Sequence, residues 1–205
     1  MTDSNTLMIV NIALVLIAYF VGSISSAVIV CKLMRLDDPR THGSNNPGAT
    51  NVLRLHGKKA ALLTLTGDML KGVLPLLIAH LLNVPELVIA LTGVATFTGH
   101  LYPVFFGFHG GKGVATLIGI LFGIYWPLGL AFSGTWLLVA LLFRYSSLSG
   151  LVAAVLTPFY TAVLLPSVYY IAANSLMAII LIWRHRANIK KLMAGTESKI
   201  GAGKP

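Results

Sequence analysis

Apolar residues fill this chain in long runs, and polar residues are gathered into a few short segments between them. The first run covers residues 7–33 and is interrupted only by Gly22-Ser23 and Ser25-Ser26. As one α-helix it would extend roughly 40 Å, longer than a ~30 Å hydrocarbon core. It must tilt, project beyond the membrane or break near Gly22-Ser23. Its serines could line something polar or bond back to their own preceding turns. A second run covers about 60–82 and a third about 87–106, separated by the turn Asn83-Val84-Pro85-Glu86. Residues 114–183 are apolar again, with breaks at Trp126-Pro127, at 144–149 and at Leu165-Pro166-Ser167. These breaks predict four short spans of roughly 16–19 residues, near the lower limit for crossing. Gly119 and Gly123 permit close helix contact, and Pro158 predicts a kink. The pattern is that of an all-α integral membrane protein with about seven transmembrane helices in a single domain, 1–205.

Composition supports that class. The chain is 56% hydrophobic and 10% charged, whereas a soluble domain carries roughly 25% charged residues. Such a chain cannot cover a water-facing surface, and it lacks the ten-residue alternation of a membrane β-barrel. The first polar residues, from Thr2 to Thr6, hold an acid and no base, the reverse of a cleavable signal. The single cysteine, Cys31, excludes an internal disulfide. The net charge of +9 reads as a positive-inside bias rather than as affinity for nucleic acid. With seven spans, 14 of the 15 Lys and Arg residues fall on one side. That side holds the loops of about 34–59 (with Lys32 at its edge), 107–113 and 144–149, and the tail 184–205. The fifteenth, Lys71, lies within a span. This asymmetry predicts an N-terminus outside and a C-terminus in the cytoplasm.

Lys71 has a partner in the same run. Asp68 stands three residues earlier, on the same helical face. Each charge costs on the order of 3 kcal/mol near the bilayer centre, so both should face the bundle interior or a wet cavity. They serve there as functional groups or as an ion pair that ties helices together.

Candidate chemistry gathers in the polar segments. Residues 38–54 are rich in Gly, Asn, Ser and Thr, with Arg40 and Arg54 toward the ends. Glycine lets successive N–H groups converge, hydroxyl and amide side chains add donors, and arginine adds planar charged forks. The stretch reads as an anion-binding loop at a membrane face, or as a linker whose Gly, Asn and Pro are ordinary turn chemistry. A second glycine-rich segment, 107–113, carries Lys112, and the tail opens with Arg184-His185-Arg186-Ala187-Asn188. All three lie on the predicted cytoplasmic side and could converge on phosphate groups. No Cys pair or carboxylate cluster has metal-ligand spacing, and no Walker loop or Gly-x-Ser-x-Gly elbow is present. Neither metal nor cofactor is expected. Of the remaining histidines, His100 reads as a helix-end hydrogen-bonding residue and His42, His56 and His109 as solvated loop residues. Trp126, Trp136 and Trp183 read as interface or packing aromatics, and the tail lysines as contacts for anionic headgroups.

The run Gly43-Ser44-Asn45-Asn46-Pro47-Gly48-Ala49-Thr50-Asn51 with Arg54, followed by Gly110-Gly111-Lys112-Gly113 and by Arg184-His185 with Asn188, resembles the bacterial acyl-phosphate:glycerol-3-phosphate acyltransferase family. Gly22-Ser23, Asp68 with Lys71-Gly72, and Gly99-His100 with Pro103-Val104-Phe105-Phe106 extend the resemblance in order over most of the chain. One departure is visible: Asn45 stands where the family usually has glycine. Asn tolerates left-handed backbone better than other residues with a side chain, so the loop shape is expected to survive.

The resemblance implies acyl transfer from acyl phosphate to the sn-1 hydroxyl of glycerol 3-phosphate. The products are lysophosphatidic acid and phosphate, and the site faces the cytoplasm at the bacterial inner membrane. A separate enzyme would supply the acyl phosphate. The expected catalytic residues are Ser44, Arg54, Lys112, His185 and Asn188. The expected binding residues are Arg40, Gly43, Asn46, Gly48, Thr50, Asn51, Asp68, Lys71, His100, Gly110, Gly111 and Gly113. None of the six histidines has Asp five positions later, so the His-x-x-x-x-Asp device of the soluble-headed glycerolipid acyltransferases is absent. Two routes for the hydroxyl proton remain open, to a substrate phosphate oxygen or to His185 as general base. A transporter of a small anionic solute is the alternative reading; it would place its binding groups near the membrane midplane.

Overall fold

Hydrocarbon offers the backbone no hydrogen-bonding solvent, so a chain this apolar satisfies its amides within helices. The computed structural model describes residues 4–201; Thr2, Asp3 and Lys204 lie outside the described residues. Within them are ten α-helices, one 3-10 turn and no strand.

The first apolar run breaks at the expected place. Helix α1 (Ser4–Gly22) stops and α2 (Ser26–Leu33) resumes after Ser23-Ile24-Ser25. Ser23 Oγ bonds back to the Tyr19 carbonyl at 2.9 Å. The Ile24 carbonyl accepts from Lys71 Nζ at 2.7 Å. An intramembrane lysine thus mends a backbone acceptor at the helix break. On α1, Leu7, Met8, Ile9, Ile12, Leu16 and Ile17 are each more than half exposed, a lipid-facing stripe.

The short helix α3 (Ala49–His56) precedes α4 (Lys58–Leu81), then α5 (Glu86–Leu101) and a 3-10 turn at Val104–Phe106. The last apolar stretch forms α6 (Val114–Ile124), α7 (Trp126–Phe143), α8 (Ser146–Leu164) and α9 (Val168–Arg184). At His185, α9 bends by 57° into α10 (Arg186–Met193), which carries Lys190 and Lys191. Among the described residues five helical segments are long and apolar enough to cross a membrane, or six with the bent α9–α10 pair.

Helix α6 departs from the expected 16–19 residues. It has 11, about 16 Å of rise, because Tyr125 turns extended and Pro127 sits in the first turn of α7. It is also the most enclosed helix: Leu117, Ile120 and Leu121 have no exposure, and Phe97 and Phe132 pack around it. Its seat is α4. A Cβ on Gly119 would strike the Met69 carbonyl, and one on Gly72 would meet the Thr116 carbonyl, so the two backbones touch where small residues permit it. Helices α4 and α7 both pack on α6 and scarcely touch each other. A slot is left between them.

Backbone contact is intolerant of added volume. Gly119→Ala should lower the detergent unfolding midpoint through an overpacking cost of about 1–3 kcal/mol. Gly134→Ala on α7, where a Cβ would meet nothing within 4 Å, should leave that midpoint unchanged or raise it slightly. Equal midpoints for the two variants would count against the α4–α6 seat.

Candidate active site

The loop that leads into α3 is held by its own side chains. Asn51 Nδ2 donates to the carbonyls of Pro39 (2.9 Å) and His42 (3.1 Å), and its Oδ1 accepts from the Ser44 N–H at 3.0 Å. Gly43 and Asn45 adopt left-handed backbone, with φ of 65° and 55°, so Asn45 takes the conformation expected of it. Arg40 forms a fork with Asp38, its Nη2 at 2.7 Å from Oδ2. The hydrogen bonds from Arg40 hold the Asp38 carboxyl below its ordinary range. The guanidinium also lies over the Phe106 ring, 5.9 Å from its centre. Arg40 therefore fastens the loop to the 3-10 turn and takes no place in a cavity wall.

The second glycine-rich segment is fastened from α9. Arg184 Nη2 donates to the carbonyls of Gly110 (3.0 Å) and Gly111 (3.1 Å), and its guanidinium lies over Tyr102. Gly113, at φ 92°, caps α6, and a Cβ there would strike the Phe97 ring. Only glycine combines that conformation with that contact. Gly110 and Gly111 are thus backbone supports rather than lining residues.

These segments enclose one cavity of about 270 Å³. Ser44, Asn46, Gly48, Thr50 and Arg54 line it from the first loop and α3, Lys112 and Gly113 from the second segment, and His185, Asn188 and Glu197 from the tail. Four helices begin at its wall, α3, α6, α8 and α10, represented by Ala49, Val114, Ser146-Ser147 and His185. None of these four N-caps makes a side-chain capping bond. The N-termini of α3, α6 and α8 bring positive dipole ends to this wall, a favourable setting for an anion, while that of α10 directly follows the C-terminus of α9.

The side chains are arranged for the same charge. Lys112 Nζ donates to Asn188 Oδ1 at 2.5 Å, and Asn188 Nδ2 donates to Glu197 Oε1 at 2.7 Å. Ser147 Oγ donates to the same Glu197 oxygen at 2.6 Å. Burial, with Arg54, Lys191 and Arg184 nearby, pulls the Lys112 ammonium down to about 8, against the opposing pull of Glu197. Burial likewise takes His185 down to about 4, partly opposed by its bond to the Leu181 carbonyl. At neutral pH His185 is an uncharged imidazole. Its Nδ1 lies 2.8 Å from the Leu181 carbonyl oxygen, which requires the proton there and leaves Nε2 as an acceptor. That nitrogen suits a hydroxyl rather than a phosphate oxygen.

Away from the helix ends the wall turns apolar: Leu65 and Met69 of α4, Ile118 of α6, and Trp136 of α7 with Ser133 one turn before it. This is the slot between α4 and α7. Trp136, read from sequence as a packing or interface aromatic, packs against the core and also lines the cavity, with a buried indole N–H that has no hydrogen-bond partner among the described residues. Trp183 behaves as expected, half exposed beneath the Arg186 guanidinium. Asp68 and His100 also reach the wall, while Lys71 stands behind Asp68 at 2.8 Å. Among the described residues no group of three His, Cys, Asp or Glu side chains could hold a metal.

Of the expected residues, Ser44, Asn46, Gly48, Thr50, Asn51, Arg54, Asp68, His100, Lys112, Gly113, His185 and Asn188 meet in the cavity wall, and Arg40, Gly43, Lys71, Gly110 and Gly111 do not. Sequence reading missed Glu197, Ser146 and Ser147 on the wall and the clamp made by Arg184. Glu197 sits in a polar tail without periodicity, and only its contacts distinguish it. Arg184, next to His185, was visible as a charge but not as a clamp.

The glycerol-3-phosphate acyltransferase family model matches residues 12–195. Glycerol-3-phosphate acyltransferase of Thioalkalivibrio sulfidiphilus is 54% identical over 194 residues, 95% of this chain and 96% of the relative. The enzyme of the same description from Hydrogenovibrio crunogenus is 54% identical over 184 residues, 89% and 88% of the two chains. The crystal structure of the integral membrane glycerol 3-phosphate acyltransferase PlsY in its glycerol 3-phosphate form superposes with a TM-score of 0.89 at 39% identity, covering 94% of this chain and 96% of that one. Its lysophosphatidic acid form gives 0.87 at 38% identity. A helical membrane architecture, an anion site built from helix ends beside an apolar slot, and this similarity along nearly the whole length agree: the chain belongs to the glycerol-3-phosphate acyltransferase family, and it is an acyltransferase of the membrane.

Proposed function

We propose that the protein transfers an acyl group from acyl phosphate to the sn-1 hydroxyl of glycerol 3-phosphate, giving lysophosphatidic acid and inorganic phosphate, at the cytoplasmic face of a bacterial inner membrane. One observation carries the reading: a single cavity joins a cationic, helix-capped end to an apolar slot between α4 and α7. An acyl phosphate has those two characters in one molecule. Its phosphate suits the helix ends, Arg54 and Lys112, and its chain suits the slot, continuing past Trp136 into lipid. The related structures in glycerol 3-phosphate and lysophosphatidic acid forms support the acceptor and the product. The orientation follows from the positive-inside asymmetry, since all the wall loops belong to the basic set. A separate enzyme making acyl phosphate would feed the site.

In this mechanism the hydroxyl oxygen attacks the acyl carbonyl carbon and a tetrahedral oxyanion forms. The bond from that carbon to the bridging phosphate oxygen then breaks, and the hydroxyl proton leaves on a phosphate oxygen. Phosphate is a good leaving group, so positioning and neutralisation of charge supply most of the acceleration. Arg54, Lys112, Ser44, Thr50 and the open N–H groups of α3 and α6 bind phosphate and stabilise the developing charge. His185 Nε2 accepts from the glycerol and orients it. Asn188 holds the Lys112 ammonium in place against Glu197.

Phosphate release from palmitoyl phosphate, dependent on glycerol 3-phosphate and measured on purified protein in detergent, tests the reaction; absence of turnover would defeat it. Two variants test the roles. Lys112 must be charged to neutralise phosphate, so kcat/KM should fall as pH rises through about 8. In Lys112→Arg that alkaline fall should vanish, because guanidinium stays protonated; an unchanged profile would remove Lys112 from the charge balance. In His185→Gln the carbonyl keeps an acceptor near the glycerol. Its rate should drop less than about a hundredfold with no change in the shape of the pH profile. A drop of about a thousandfold with loss of the acidic limb is the scale of lost general-base catalysis and would give the proton to His185.

A further inference from the structure

Two carboxylates stand on the wall of a cavity read as the seat of phosphate-bearing substrates, where each is electrostatically out of place. Glu197 is accounted for by Ser147 and Asn188, which both donate to its Oε1. Asp68 is not. Only 2% exposed on α4, its Oδ1 makes no hydrogen bond of acceptable geometry among the described residues. The Lys71 ammonium stands 2.8 Å from that oxygen as its ion-pair partner and also donates to the Ile24 carbonyl, so Oδ1 is paired on one side and can accept one further hydrogen bond. His100, 7% exposed, holds Nδ1 at 3.7 Å from the same oxygen, and that nitrogen is also without a hydrogen-bond partner. The imidazole is fixed from behind: a Cβ on Gly111 would strike its Nε2. A buried imidazole nitrogen without a partner is costly unless a third group reaches it, and the Asp68 oxygen beside it offers that group an acceptor.

The chemistry of that group follows by elimination. A carboxylate only accepts, whereas an imidazole nitrogen donates or accepts by tautomer. Dianionic phosphate oxygens and the acyl carbonyl only accept, so neither can donate to Asp68 Oδ1. A hydroxyl can donate to Asp68 Oδ1 while pairing with His100 Nδ1. Glycerol 3-phosphate has two, and the sn-1 hydroxyl is committed to the acyl carbonyl. Lys71 makes the carboxylate tolerable here, since the pair presents an acceptor without a net negative charge. Resting on the acyl-transfer reading, we propose that Asp68 and His100 form a hydroxyl-reading subsite. It holds the central hydroxyl of glycerol 3-phosphate and sets acceptor specificity against phosphorylated alcohols that lack it.

The test compares glycerol 3-phosphate with 1,3-propanediol monophosphate, which lacks only the central hydroxyl, on the full-length protein in detergent. The readouts are kcat/KM with palmitoyl phosphate and calorimetric affinity for each acceptor. The wild type should prefer glycerol 3-phosphate by about a hundredfold, the scale of a hydrogen bond to a charged group. His100→Leu, which leaves the Asp68–Lys71 pair intact, should reduce that preference to a few-fold by weakening glycerol 3-phosphate alone. His100→Gln should restore part of it, and Asp68→Asn should also narrow it. Equal losses for both acceptors, or a wild type that binds them alike, would overturn the subsite and leave Asp68 and His100 as structural or catalytic groups. A protein that binds both compounds but transfers nothing from palmitoyl phosphate would count against the donor assignment alone, and the affinity ratio would still decide the subsite.

Discussion

The contact on which the rest of this molecule depends is the seating of α6 against the backbone of α4. Gly72 and Gly119 allow carbonyl oxygens of one helix to lie where a Cβ of the other would be. In lipid no hydrophobic force drives helices together, so close van der Waals approach must do it. Once seated, a helix of 11 residues ends inside the bundle, and its first turn opens onto the cavity rather than onto water. Lys112 is carried at its entry. Because α4 and α7 both lean on so short a helix, they stay apart, and the apolar slot is the space they leave.

Anion attraction here rests less on formal charge than on orientation. Arg54 and Lys112 are the Lys and Arg side chains of the wall, Glu197 stands on it, and Asp68 is neutralised by Lys71 behind it, so the side chains leave only a small positive excess. The N-termini of α3, α6 and α8 add to that excess, and they are fixed before any substrate arrives. Each carboxylate is restrained by neighbours, Glu197 by two donors and Asp68 by Lys71. Burial makes the Lys112 charge expensive enough to bring its pKa to about 8, and the anion that needs the charge also stabilises it.

Several residues serve a purpose other than the expected one. Asn51 reaches the wall, yet its amide is engaged in holding Pro39, His42 and Ser44. Arg40 looked like a phosphate fork and is instead paired with Asp38, two residues away. Gly110 and Gly111 offer carbonyls to Arg184 rather than amides to a ligand. Residue type reported the need for backbone freedom and for polar anchoring near the site, but type does not say which partner a donor finds.

By itself the sequence determined the features that solvent and short-range chemistry dictate. The class, the apolar runs, the break at Gly22-Ser23, the gathering of basic residues into the polar segments and the anion-suited composition of those segments are all properties of neighbours along the chain. They are set by helix length against bilayer thickness and by the cost of charge in hydrocarbon. The tertiary structure decided which of those segments touch. Glu197 reaches Ser147 and Asn188, Arg184 clamps the Gly110-Gly111 turn, and Asp68 meets His100 across two helices. Such contacts join residues far apart in the chain, and a helix offers several faces on which each partner could have lain. Close packing of α6 on α4 selects one of them, and the site exists only in that selection.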